Sequence, residues 1–129
     1  MTIPDPKAVR AFLEERHVGR AAEAAAFSAR ELRPRPEPRD DAAARDEART
    51  LLSLIGGAGW LDAIRDQDWR GCCLAREALA ASSPLADAVF ALQGLGALPI
   101  LLSGNAPMRE RWVDAAIAGR AMAAFAMTE

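Results

Sequence analysis

Pro84-Leu85-Ala86-Asp87-Ala88-Val89-Phe90-Ala91-Leu92-Gln93-Gly94-Leu95-Gly96-Ala97-Leu98-Pro99-Ile100-Leu101-Leu102-Ser103 is the stretch that decides the fold of this 129-residue chain. Leu85, Ala88, Val89, Leu92, Leu95, Gly96, Pro99, Ile100 and Leu101 cover far more than one stripe of a helical surface, so the segment reads as a helix at the centre of a bundle. Pro84 suits the first helical turn, and Ser103-Gly104-Asn105 ends the run. Asp87, Gln93, two glycines and Pro99 interrupt it, which fits a buried core helix better than a transmembrane one. The glycines let another backbone or a ligand come close, while Pro99 removes one backbone hydrogen bond and is expected to kink the helix.

The elements on either side are also helical. Asp5-Pro6 reads as a cap and first-turn proline, with Val9, Leu13, Arg20, Ala24 and Phe27 recurring at helical spacing in one first helix. Pro34-Arg35-Pro36-Glu37-Pro38 ends that helix, because each proline lacks a donor and restricts its predecessor, and leaves a stiff extended connection. Asp40 or Asp41 caps a second helix with Ala44, Ala48, Leu51, Leu52 and Ile55 on its apolar side and Gly56-Gly57 as its stop. Residues 58–67, with Trp60, Leu61 and Ile64, read as a short helical turn or as a loop packed on the core. Asp66 or Asp68 caps a third helix bearing Trp69, Cys72, Cys73, Ala75, Arg76 and Leu79. Beyond the central helix, Asn105 with Pro107 opens a fifth helix through Met108, Trp112, Val113, Ala116 and Ile117, stopped by Gly119.

Composition agrees with this all-α bundle of about five helices. The chain holds 30 alanines, no tyrosine and only 4 phenylalanines, and alanine is the best helix former while strands favour aromatic and β-branched residues. A chain of this size buries roughly two thirds of its unfolded surface, so one soluble domain needs no disulfide or metal. The formal net charge is −2 with the signs interspersed, which argues against a nucleic-acid-binding face. The start of the chain lacks the charged and apolar regions of a signal peptide, so a cytoplasmic location is expected and no membrane span. Cys72 and Cys73 are adjacent and lack metal or redox spacing, hence two reduced thiols are expected. His17, beside Glu14, Glu15 and Arg16, is expected on a solvated helix face, and no metal site is expected. Residues 121–129, almost wholly apolar after a helix stop, read as the start of a β-strand that needs a partner sheet.

Three segments in order carry a resemblance. They are Leu74-Ala75-Arg76-Glu77-Ala78-Leu79-Ala80; Leu92-Gln93-Gly94-Leu95-Gly96-Ala97-Leu98-Pro99-Ile100-Leu101-Leu102-Ser103-Gly104-Asn105; and Arg111-Trp112-Val113 through Ala118-Gly119 into Ala124-Phe125-Ala126-Met127-Thr128-Glu129. In this order and spacing residues 68–129 resemble the N-terminal helical domain of the flavin-dependent acyl-CoA dehydrogenases. Residues 1–67 match only in outline, and Gly56-Gly57-Ala58-Gly59-Trp60-Leu61 departs from the family's acidic, aromatic Gly-Gly loop, as in a divergent member.

The resemblance implies residues 1–120 as the helical domain and 121–129 as the entry to a middle β domain. It implies oxidation of an acyl-CoA to the 2,3-enoyl-CoA with FAD as the hydride acceptor. Phe125, Met127 and Thr128 match the family strand along the flavin ring, and Ala91 and Leu95 match the inner end of the acyl pocket. The family's catalytic carboxylate belongs to a later domain, so no residue here, Glu129 included, is assigned as the base. The family commonly forms homo-oligomers that pass electrons to an electron-transfer flavoprotein. The competing expectation is a stand-alone all-α interaction module without catalytic activity, whose C-terminal apolar stretch adds a strand to a partner sheet.

Overall fold

The computed structural model describes residues 5–126, and among these it contains helices and no strand. Seven α-helices follow in order: α1 Glu15–Phe27, α2 Asp41–Gly57, α3 Asp62–Arg65, α4 Trp69–Ala80, α5 Pro84–Ser103, α6 Ala106–Met108 and α7 Asp114–Ile117. The five expected become seven because residues 58–67 add α3 and the last expected helix divides into α6 and α7. The first expected helix is a 3₁₀ helix, Pro6–Phe12, capped by Asp5, followed by a break at Leu13 and Glu14 before α1 begins. Val9 and Phe12 are consequently exposed, whereas Ala24 and Phe27 are in the core. Residues 58–67 contain the single-turn α3, which seats Ile64 in the core beside Trp60 and Leu61. The last expected helix runs α6, a π-helical segment Arg109–Val113, then α7.

Caps explain where the helices start. Asp40 accepts from the Ala43 amide at 2.8 Å, Asp68 from Gly71 at 3.1 Å, Ser83 from Ala86 at 3.2 Å and Asn105 from Met108 at 3.0 Å. Each satisfies an amide that the helix itself leaves unpaired. Of the two aspartates available at each site, Asp40 and Asp68 take the cap position. The chain ends α7 at Gly119, with a φ of +72°, the Gly119 amide bonding Ala116 and the Arg120 amide bonding Ala115, a Schellman turn.

The core joins Phe27 and Leu32, Leu51, Leu52 and Ile55 of α2, Leu79 of α4, Val89 and Phe90 of α5, and Val113 and Ile117 near the C-terminus. α5 packs on α2, α3, α4 and α7, so it is central by contact. It is not enclosed, however. Its buried residues, Ala86, Val89, Phe90, Gln93 and Ala97, form one stripe at helical spacing, while Leu92, Leu95 and Leu102 are exposed. Small residues let α5 approach its neighbours closely, and the leucines are left on the opposite side. The helix is long and apolar enough to cross a membrane by length and composition, and it continues through Pro99. Residues 121–126 form neither helix nor strand, and Met127, Thr128 and Glu129 of the expected strand lie outside the described residues.

His17 corrects a sequence expectation. It is 1% exposed, not on a solvated face. Its Nδ1 accepts from the Glu14 amide at 3.1 Å, which places the ring proton on Nε2, 3.0 Å from the Asp68 carboxylate. Arg16 reaches the same carboxylate at 2.8 Å. One turn on, Arg20 lies 3.9 Å above the Trp60 ring and donates to the Gly59 carbonyl at 2.8 Å, while Phe27 packs tilted against Trp60. These contacts dock α1 on α4 and on the turn before α3.

Candidate functional site

An open apolar groove of about 400 Å³ lies between α4, α5 and residues 121–126. α5 supplies Phe90, Ala91, Gly94, Leu95, Leu98 and Pro99, α4 supplies Trp69, Cys72 and Arg76, and Ile64 and Phe125 complete the wall. The volume lies within the range of small-molecule pockets, about 300–1,000 Å³. Ala91 and Leu95 are four residues apart and share one face of α5, which helical geometry requires. Leu95 is 52% exposed and Phe125 47%, so both stand at an accessible apolar wall. The structure thus brings Ala91, Leu95 and Phe125 to one groove, whereas Met127 and Thr128 lie outside the described residues.

Two polar groups edge the groove. Arg76 is held by Asp87 through paired contacts of 2.7 and 2.9 Å, and that carboxylate raises the guanidinium above its usual range, fixing it as a cation. Cys72 is buried, and its thiol is pushed up to about 11 by burial first, then by the Asp68 charge and by Cys73. At pH 8 such a thiol is ionised in only about one molecule in a thousand, so it is a poor nucleophile. Exposed Cys73 is therefore expected to take up one equivalent of a thiol reagent promptly while Cys72 resists in the folded protein. Cys73→Ser is expected to remove the fast phase, and a fast phase surviving that change would contradict the assignment.

The sequence reading missed Trp69, Arg76 and Gln93 as parts of this region. Gln93 is fully buried in the α5 stripe. Its Nε2 donates to the Ala116 carbonyl at 2.8 Å and to the Ala121 carbonyl at 2.9 Å, and its Oε1 accepts from the Ala123 amide at 2.6 Å. The available signal was a single amide in register with Val89, Phe90 and Ala97. A second cleft, lined by Arg16, His17, Arg20, Trp60, Asp62 and Asp68 among others, is where Arg16 and His17 pair with Asp68, and it serves the docking of α1. Among the described residues no group of three or more His, Cys, Asp or Glu is placed to hold a metal. In comparisons with known proteins the chain matches no protein-family model and no curated protein.

Proposed function

We propose that the chain is the N-terminal helical domain of an FAD-dependent acyl-CoA dehydrogenase and that the groove receives the acyl chain. One observation carries this reading: Ala91 and Leu95, matched to the family's acyl pocket, and Phe125, matched to its flavin strand, line the same apolar groove. Such a wall favours an alkyl chain at roughly 25 cal/mol for each Å² taken from water. Arg76 at the rim, its charge balanced by Asp87, offers its remaining guanidinium N–H donors to the polar part of the substrate.

Of the residues matched to the flavin strand Phe125 is the described one, and its position in an apolar wall supports one side of an FAD site. Phe125 offers an apolar ring face at the groove, while Met127 and Thr128 enter the proposal through the sequence match alone, a hydroxyl such as that of Thr128 being suited to hydrogen-bond the polar edge of a flavin ring. When bound, FAD supplies the acceptor for the hydride leaving the β-carbon of the acyl chain. The residues of this chain hold the alkyl chain, exclude water from it and abut the cofactor, and none of them takes the α-proton. Homo-oligomer formation, electron-transfer flavoprotein as partner and a cytoplasmic location belong to the same proposal.

The test has two arms. Expressed from its whole reading frame, the protein is expected to purify yellow and to reduce a dye when given acyl-CoA; colourless protein that dehydrogenates no acyl-CoA overturns the proposal. In calorimetric titration with dodecanoyl-CoA, Leu95→Asp is expected to weaken binding at least tenfold, because a carboxylate in an apolar wall must be desolvated. Leu95 is half-exposed, so the same change is expected to leave stability within about 0.5 kcal/mol. Unchanged affinity would place the acyl chain elsewhere.

A further inference from the structure

Residues 121–126 have no helix or strand to satisfy their backbone, yet they follow a defined course across α5. Ala121, Met122, Ala123 and Ala124 line a small apolar cleft with Gly96 and Trp112 on one side of that helix. Phe125, the next residue, lines the large groove on the other side. The crossing point is Gly96, where an added Cβ would stand 2.6 Å from the Ala123 Cβ and 2.8 Å from the Ala124 nitrogen. Only glycine leaves room for the strap there.

Three residues earlier, on the same face of α5, Gln93 makes the strap's polar attachments. Its amide bridges the end of α7 at Ala116 and two points of the strap, Ala121 and Ala123. Exchanging the oxygen and nitrogen of that amide would set donor against donor at Ala123 and acceptor against acceptor at Ala116 and Ala121, so the network fixes its orientation. A buried amide satisfied only by these carbonyls and this amide is worth keeping for the geometry it imposes.

We infer that Gln93 is a positioning residue which, with the clearance at Gly96, clasps residues 121–126 to α5 and thereby sets Phe125 as a wall of the groove. The inference rests on the acyl reading of the groove where it concerns ligand binding. The clasp itself does not depend on that reading. Gln93 touches no ligand; it governs the groove through the strap, which ties the affinity for long acyl chains to a residue on the far side of the helix.

The experiment compares the full chain with Gln93→Leu, Phe125→Ala, the pair combined, and Gly96→Ala, which displaces the strap without touching the amide. Two quantities are read: hydrogen exchange at the Ala123 amide, and affinity for dodecanoyl-CoA by calorimetry. Gln93→Leu and Gly96→Ala are each expected to speed exchange at Ala123 at least tenfold while the core of α2 and α4 keeps its protection. Phe125→Ala is expected to weaken binding about tenfold, Gln93→Leu by a similar factor, and the pair no further than either alone, the signature of two residues acting as one unit.

Unchanged exchange at Ala123 in Gln93→Leu and in Gly96→Ala overturns the clasp. Faster exchange with independent, multiplying losses of affinity overturns the positioning role and leaves Gln93 a structural amide. Faster exchange in a chain that binds no acyl-CoA in its native form upholds the clasp and removes the acyl reading of the groove instead.

Discussion

Gly119→Ala is expected to lower the melting temperature by about 10–15 °C, from a loss of roughly 3–4 kcal/mol in a domain of this size. Two effects add. Gly119 turns the chain out of α7 at a φ of +72°, where a residue with a Cβ is disfavoured by about 1–2 kcal/mol. The new Cβ would also stand 2.5 Å from the Leu52 carbonyl oxygen, a backbone atom that a side-chain rotation cannot clear, and such overpacking costs about 1–3 kcal/mol. The same close approach seen from α2 makes Gly56→Ala costly, since its Cβ would meet the Gly119 nitrogen at 2.5 Å. Gly19 is the control, because nothing lies within 4 Å of a Cβ placed there in α1. Gly19→Ala is expected to stabilise by about 0.5–1 kcal/mol. Thermal unfolding of the three variants separates glycines kept for contact from one that is not, and a Gly119→Ala protein melting with the wild type would refute the packing argument.

The Gly56 contact illustrates which features were legible in the sequence. Gly56-Gly57 reads locally as a helix stop, yet α2 includes both residues, and Gly56 serves a neighbour 63 positions along the chain. Caps were legible at Asp40, Asp68 and Asn105 because the side chain and the amide it bonds lie within three residues. Pairings across the chain were not. His17 sits among charges that suit a solvated face, and its burial depends on Asp68, 51 residues away. In α5 hydrophobicity alone failed to rank the faces: with apolar residues all round, the buried stripe went to Ala86, Gln93 and Ala97 rather than to Leu92, Leu95 and Leu102. Close contact between helices rewards small side chains, and a buried amide is tolerated once its partners are supplied. For the groove, the shared face of Ala91 and Leu95 followed from helical spacing, whereas the approach of Phe125 depends on the strap and its two attachment points.

Asp68→Ala is the second large effect, expected at about 3–4 kcal/mol from three losses at one carboxylate. The cap on the Gly71 amide contributes about 1 kcal/mol. The buried Nε2–H of His17 loses its acceptor, and an unsatisfied buried donor costs about 1–3 kcal/mol. The ion pair with Arg16, an exposed cation, adds only about 0–1 kcal/mol. Asp68→Asn keeps an acceptor for both the cap and His17, so it is expected to cost only about 1 kcal/mol. The pH dependence distinguishes charge from shape. Burial alone would raise the Asp68 carboxyl, but the Gly71 amide, His17 and Arg16 together hold it below its ordinary value. A carboxylate lowered on folding contributes its full stability above its unfolded pKa, near 4, and loses it as pH falls through that value towards the folded one. The gap between the wild type and Asp68→Ala is therefore expected to narrow as pH falls from about 5 towards 3. Other carboxylates titrate in both proteins and largely cancel in the difference. Denaturant unfolding at pH 7, 5 and 3 measures the gap, and one that stays constant down to pH 3 would mean that the Asp68 charge contributes nothing to docking α1 on α4.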